Sequence, residues 1–255
     1  MNKIVVVGYG KMAKAICDGL RDDFEIELVG RDLQKAKKFK DELNLECSIY
    51  ELKNYDISEK IVLLCVKPYA IDDVSKELIG QANVLISILA GTRLEKLKSK
   101  ISANYVIRAM PNVAAQYKKS ITTITGDILA KDVAVEVLSK IGQVVWLNSE
   151  KELDIATALG GSAPAFLSIV AESLIDGGVK EGLKRDDATV VVNTLFEGFS
   201  YLLKDIHPAL IKESVMSPGG TTAEGVFSLE HDKIRSAFMK AIHKTNLKAK
   251  ELSKI

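Results

Sequence analysis

The stretch Gly8-Tyr9-Gly10-Lys11-Met12-Ala13 constrains this chain more than any other. The apolar run Ile4-Val5-Val6-Val7 leads into it, and a helical pattern from Ala13 to Leu20 leads out. Strand, glycine turn and helix in that order open a βαβ unit of the dinucleotide-binding kind. Gly8 permits the tight turn off the strand. Gly10 has no Cβ, so a pyrophosphate can approach the backbone. Ala13 is small enough for the helix to sit against the strand. The helix N-terminus, at Lys11 and Met12, offers N–H groups and a positive dipole end to phosphate.

The first half then alternates strands and helices. Strands are expected at Glu25–Val29, Ile61–Val66, Asn83–Leu89, Tyr105–Arg108, Ser120–Thr125 and Val144–Leu147. Asp32 can cap a helix over Leu33–Leu43, and Thr92 with Glu95 reads as a capping box for a short one. Ile61-Val62-Leu63-Leu64-Cys65-Val66 is continuously apolar, as a strand buried on both faces requires. The pattern is a doubly wound α/β sheet of Rossmann-like type. Ligands of such sheets bind beyond the carboxyl ends of the strands. Those ends carry Gly30-Arg31, Val66-Lys67-Pro68, Ala90-Gly91 and Met110-Pro111-Asn112, which with Gly8, Gly10, Lys11 and Met12 form the expected cofactor-binding rim.

At Trp146–Ser149 the character changes. Ser149 and Glu152 read as a capping box, strand signals cease, and helical patterns run to the end. Val190, Val191, Leu195, Phe196, Phe199 and Leu202 cover more than one face of their helix, as expected of a helix that is buried or packed on a partner chain, and the helical domain is a candidate for dimerisation. The expected organisation is therefore a dinucleotide-binding domain over 1–148 and an all-helical dimerisation and substrate domain over 149–255.

The net charge of +1 over 255 residues gives no reason to expect nucleic acid or an anionic membrane surface. No apolar run is expected to span a membrane, and no signal peptide is expected ahead of the first strand. Cys17, Cys47 and Cys65 are odd in number and widely spaced, so free thiols in a reducing cytoplasm are expected, with no metal site. His207 precedes Pro208, and His231 and His243 sit in helical surroundings, so capping or surface roles are expected of all three.

An NAD site wants an acid at the end of the second strand, whereas an NADP site replaces it with neutral and cationic groups. Here that strand ends Leu28-Val29-Gly30-Arg31. Gly30 takes the place of the acid, and the Arg31 guanidinium matches a 2′-phosphate. The expected cofactor is NADPH, with NADH as the second choice. Asp32 is expected to be occupied as a helix cap.

Ser217-Pro218-Gly219-Gly220-Thr221-Thr222 is the least ordinary sequence in the chain. Thr221 and Glu224 read as a capping box, the structural explanation. Two glycines ahead of a helix N-terminus also expose N–H groups that can grip a carboxylate, and Thr222 can present a hydroxyl.

Here the chain resembles the Δ1-pyrroline-5-carboxylate reductase family. His207-Pro208-Ala209 and Ser217–Thr222 look like its C-terminal signature. The stretch from Asp154 to Phe166 looks like the start of its helical domain. Val66-Lys67-Pro68, Ser87–Gly91 and Arg108–Asn112 are similar, in order, to its Rossmann loops. Ala163, Val113-Ala114-Ala115 and Ala223-Glu224 depart from its usual pattern. The resemblance implies NAD(P)H-dependent reduction of a cyclic imine to L-proline by a homo-oligomer, dimer or larger, with the small-molecule substrate bound at the dimer interface. It implies that the substrate carboxylate meets the N–H groups of Gly219, Gly220 and Thr221 within the Ser217–Thr222 loop, and that Thr222 is catalytic, bonding the ring nitrogen. The alternatives are an NADP-dependent β-hydroxyacid dehydrogenase and a non-catalytic NADP sensor. The first wants a Lys that the segment Gly160–Phe166 lacks, and the second has no need of the Ser217–Thr222 cradle.

Overall fold

The computed structural model describes residues 2–252 of the chain. Eight strands form one sheet: β1 (Asn2–Val7), β2 (Phe24–Gly30), β3 (Cys47–Glu51), β5 (Ile61–Leu64), β7 (Ala82–Ser87), β8 (Ala103–Met110), β9 (Ser120–Gly126) and β10 (Gly142–Trp146). Their order is β10-β9-β8-β7-β5-β1-β2-β3. Only the β8–β9 pair is antiparallel among these neighbours. The two-residue strands β4 (Tyr55–Asp56) and β6 (Leu78–Ile79) pair separately. The order steps outward from β1 to β2 and β3, then returns to β5 on the other side. That reversal is the switch point where a doubly wound sheet opens a ligand crevice.

Both faces of the sheet are covered, and the side chains alternate accordingly. Ile4 and Val6 join the core with α1 (Lys11–Leu20), α2 (Leu33–Leu43) and α5 (Lys131–Leu138). Val5 and Val7 join the core with α3 (Ile71–Val74) and α4 (Leu94–Lys100). Continuous apolar runs are what such a two-faced strand needs.

Several local expectations are changed by the structure. β3 was not expected: it is an edge strand of mixed polarity, half exposed, so no apolar run marks it. Thr92 is not a cap. Arg93 holds the N-cap position of α4 without a side-chain bond, and the Leu94 N–H donates instead to Glu150 Oε1 at 3.0 Å. A carboxylate 56 residues away thus does the work expected of Thr92. Asp32 does cap α2, accepting from the Gln34 and Lys35 N–H groups at 3.1 and 3.0 Å. Ser149 caps α6 (Glu150–Ala156), accepting from Glu152 N–H, while Glu152 accepts from Asn148 N–H. His207 caps α9 (Pro208–Ser214) through Nδ1, which accepts from Ala209 N–H.

The described chain forms two compact units. One is Ala163–Lys244; the other holds the sheet, α6 and the end of the last helix from Thr245 onward. The helical unit comprises α7 (Ala163–Lys180), α8 (Arg185–Asp205), α9, α10 (Thr221–His231) and most of α11 (Ile234–Leu252). Within it α7 and α8 pack on each other, and Leu167, Ile169, Val190, Val191, Leu195 and Phe227 are exposed in the single chain. A π-helical turn, Thr157–Ser162, joins α6 to α7, so Glu150–Lys180 runs as one helix. That run is long and apolar enough, by length and composition, to cross a membrane, which corrects the expectation that no segment is. The extra length comes from the π-helical turn, which contains Gly160-Gly161-Ser162.

Candidate active site

A cleft of about 770 Å³ opens at the carboxyl ends of β1, β2, β5, β7 and β8. It brings together Gly8, Gly10, Lys11, Met12, Arg31, Val66, Lys67, Pro68, Ala90, Met110 and Pro111, all expected at the rim. Gly91 and Asn112 do not line it. Gly91, at φ 73°, makes the turn closed by Thr92 N–H on Leu89 O, and it lines a second cavity instead. The Asn112 side chain is spent on structure. Its Oδ1 accepts from Ala114 N–H, and its Nδ2 donates to Gly160 O at 2.9 Å, satisfying a carbonyl of the π-helical turn.

The two glycines of the opening turn do different work. Gly8 sits at φ +111°, and a Cβ there would lie 2.9 Å from Cys65 O. The chain itself forbids a side chain at that position. Gly10 has φ −81°, and a Cβ there would meet nothing within 4 Å. Nothing in the fold requires glycine at position 10, and the space it leaves faces the cleft. The residues therefore fit a dinucleotide whose pyrophosphate approaches Gly10 and the N-terminus of α1, which has no side-chain cap.

The end of β2 is shaped by a residue the sequence reading passed over. The Tyr9 ring lies against Gly30, where a Cβ would lie 2.9 Å from Tyr9 Cδ1 and closer still to Cε1. The Tyr9 hydroxyl accepts from Asp32 N–H at 3.3 Å. Arg31 extends from this pinned segment, half exposed, with Asp73 and Glu77 each 3.8 Å from its guanidinium. The Asp32 carboxyl is turned to its helix by the Gln34 and Lys35 N–H groups, and the Lys35 backbone and side chain hold it below its usual range. Cys65 also lines the cleft, but burial pushes its thiol up to about 12, so it offers no thiolate nucleophile near neutrality.

The second cavity, about 200 Å³, is lined by Ala90, Gly91, Arg108, Met110, Asp154, Thr157, Ala158, Ser162, Thr245, Lys248 and Ala249. It shares Ala90 and Met110 with the cleft. Arg108 is its floor, 2 % exposed, with Nη1 2.5 Å from Glu150 Oε1 and Nη2 3.5 Å from Asp154 Oδ1. Arg93 Nη2 lies 3.2 Å from Asp154 Oδ2. Arg108 and Asp154 were quoted in the resemblance without roles, because an ion pair across 46 residues leaves no sequence signal.

In the helical unit, Ser217-Pro218-Gly219-Gly220 is a β-turn with Gly219 at φ +69° and Gly220 N–H donating to Ser217 O at 2.9 Å. Gly220, not Thr221, holds the N-cap of α10, without a side-chain bond, so Thr221 and Glu224 form no capping box. The N–H groups of Ala223 and Glu224 return to Gly220 O. Thr221 and Thr222 are the first two residues of α10, whose N–H groups have no acceptor inside the helix. Of the three N–H groups expected to grip a carboxylate, that of Gly220 is therefore committed to the turn.

A parallel sheet with the 3-2-1-4-5-6 order of its first six long strands, and an open glycine turn at its switch point, defines a Rossmann-type nucleotide-binding oxidoreductase fold. Residues 3–91 match the family model described as NADP oxidoreductase, coenzyme F420-dependent, and residues 150–252 match that for pyrroline-5-carboxylate reductase dimerisation. The chain is 36 % identical over 253 residues to the pyrroline-5-carboxylate reductase of Helicobacter pylori (strain J99), covering 96 % of this chain and 98 % of the relative. It is 32 % identical to that of Thermus thermophilus, covering 98 % of each. Among solved structures, the 1-pyrroline-5-carboxylate reductase of Streptococcus pyogenes superposes with a TM-score of 0.83 at 30 % identity, over 98 % of both chains. The Plasmodium falciparum pyrroline carboxylate reductase, solved with NADP bound, shares the fold at a TM-score of 0.79 and 23 % identity. The chain belongs to the pyrroline-5-carboxylate reductase family.

Proposed function

We propose that the chain reduces Δ1-pyrroline-5-carboxylate to L-proline with NADPH, NADH serving as the second cofactor. The observation that carries the reading is Gly10: an open space kept at the head of α1 that the fold does not need, in a chain matching such reductases end to end. Bound in the cleft, the dinucleotide supplies a hydride. The N-terminus of α1 and Gly10 hold its pyrophosphate, Arg31 its 2′-phosphate, and Val66, Lys67, Pro68, Ala90, Met110 and Pro111 its length. Gly91 and Asn112 act from behind this lining, one by shaping the Ala90 turn and the other by tying the loop after β8 to the π-helical turn.

The substrate is a protonated cyclic imine, already electrophilic, so the residues need only orient it and stabilise its charge. The carboxylate is held by N–H groups at Gly219 and Thr221, with Gly220 and Ser217 building the turn that aims them. The Thr222 hydroxyl bonds the ring nitrogen. A β-hydroxyacid dehydrogenase or an NADP sensor is not favoured, because family membership extends over the whole chain.

In the same reading the boundary between cofactor-binding and helical dimerisation domains falls at 148/149, the protein works in the cytoplasm as a homodimer or larger homo-oligomer, and nucleic acid and membranes are not partners. The apolar faces of α7 and α8 serve self-association. The reading is tested by following NADPH oxidation with pyrroline-5-carboxylate beside a panel of 2- and 3-hydroxyacids run in reverse with NADP. Turnover of the imine alone is expected; turnover of a hydroxyacid alone would replace this reading with the dehydrogenase, and NADPH binding with no turnover would leave the sensor.

A further inference from the structure

Arg31 faces two carboxylates. Its Nη1 lies 3.8 Å from Asp73 Oδ2 and its Nε lies 3.8 Å from Glu77 Oε1. Both acids come from the segment that follows β5: Asp73 lies in α3 and Glu77 three residues past its end. The backbone of Arg31 has little freedom to leave them. Gly30 O accepts from Leu52 N–H at 3.0 Å, and Asp32 N–H is held by the Tyr9 hydroxyl.

NADPH differs from NADH by one group, a 2′-phosphate carrying close to two negative charges near neutrality. Placed on Arg31, that phosphate meets two carboxylates already facing the same guanidinium. Either the acids stay and repel it, or Arg31 gives up both ion pairs to receive it. NADH meets neither cost. We infer that Asp73 and Glu77 are specificity-determining residues that oppose the 2′-phosphate at Arg31, so that the chain prefers NADPH over NADH less steeply than Arg31 alone would dictate. The inference rests on the reading of the cleft as a dinucleotide site.

The two acids are not equal. Asp73 is shared with Lys76, 3.8 Å away, and its side chain is 61 % exposed. Glu77 is 33 % exposed and acts more strongly, since a less solvated charge is less screened. Partly exposed charges at this range alter affinity modestly. Glu77→Gln is expected to tighten NADPH binding about two- to fourfold, Asp73→Asn less, and the double variant about fivefold.

The test is a titration of the full chain with NADPH and with NADH, followed by the fluorescence of the reduced nicotinamide, for wild type, Asp73→Asn, Glu77→Gln, the double variant and Arg31→Ala. The inference expects a lower Kd for NADPH, unchanged NADH binding, and Glu77→Gln outweighing Asp73→Asn. An unchanged NADPH/NADH ratio overturns it, as does a weaker hold on NADPH, which would make the acids aligners of Arg31. In either of those cases the underlying reading still stands if Arg31→Ala loses affinity for NADPH alone. An Arg31→Ala variant that changes neither cofactor, or a wild type that binds neither, overturns both together.

Discussion

The Tyr9 ring occupies the place where a side chain at Gly30 would begin. The family of sheets to which this one belongs puts the ribose-binding residue at that strand end. Here the position is taken by an aromatic ring from the opening turn, tied to the next helix through Asp32 N–H. Gly30→Ala should displace the ring, a flexible side chain, so the fold should survive within about 1 kcal/mol. Binding of both NADPH and NADH should weaken several-fold as the ring enters the cleft. Adding Tyr9→Ala makes room for the methyl group and should restore binding; titrating the single and double variants checks this.

Gly8 and Gly10 should separate folding from binding. Gly8→Ala places a Cβ at φ +111° against Cys65 O and is expected to cost about 1–3 kcal/mol of stability. Gly10→Asn puts a good N-cap residue into open space and should leave Tm unchanged or raised. The same change fills the approach to the α1 N-terminus and should lower NADPH affinity at least tenfold. Thermal melts and cofactor titrations, run side by side, distinguish the two effects.

The buried ions beneath the second cavity should dominate the stability of that region. Asp154→Asn leaves the Arg108 charge with Glu150 alone in an environment with almost no solvent. A loss of about 3 kcal/mol is expected, at the low end for breaking a buried pair because one partner remains. Glu150→Gln should cost less, since Glu150 is more exposed than Asp154 and Asp154 pairs with Arg93 as well as Arg108. Urea unfolding of both variants measures the difference.

What the sequence made legible was local or periodic. Ile4–Val7, Ile61–Cys65 and the glycine turn could be read because a buried parallel strand is apolar throughout and a phosphate turn needs glycine. Asp32 could be read because a cap acts two or three residues away. The features that escaped act across long separations: Glu150 capping α4, Asp154 holding Arg108, and Tyr9 lying on Gly30. Thr92 and Thr221 were misread as caps because hydroxyl and acid spacing cannot reveal that α4 begins one residue later, and α10 one residue earlier, than those caps would require. The edge strand β3 hid for want of a second buried face.

Thr222 stands at the second position of α10, where its hydroxyl is free of the capping role that a residue at Gly220 would have. Thr222→Ala should lower turnover or affinity for pyrroline-5-carboxylate while NADPH binding stays at the wild-type value. Thr222→Ser should recover most of the loss. Steady-state kinetics with a parallel cofactor titration decides it, and wild-type kinetics in the alanine variant would remove the assigned role.

The central claim is hydride transfer to a cyclic imine by this chain. The direct measurement supplies NADPH deuterated at the transferring C4 position together with Δ1-pyrroline-5-carboxylate, and the product is examined by mass spectrometry and NMR. The account expects L-proline carrying one deuterium on the ring carbon that had been the imine carbon. NADPH bound without consumption, or proline formed without the label, would contradict it.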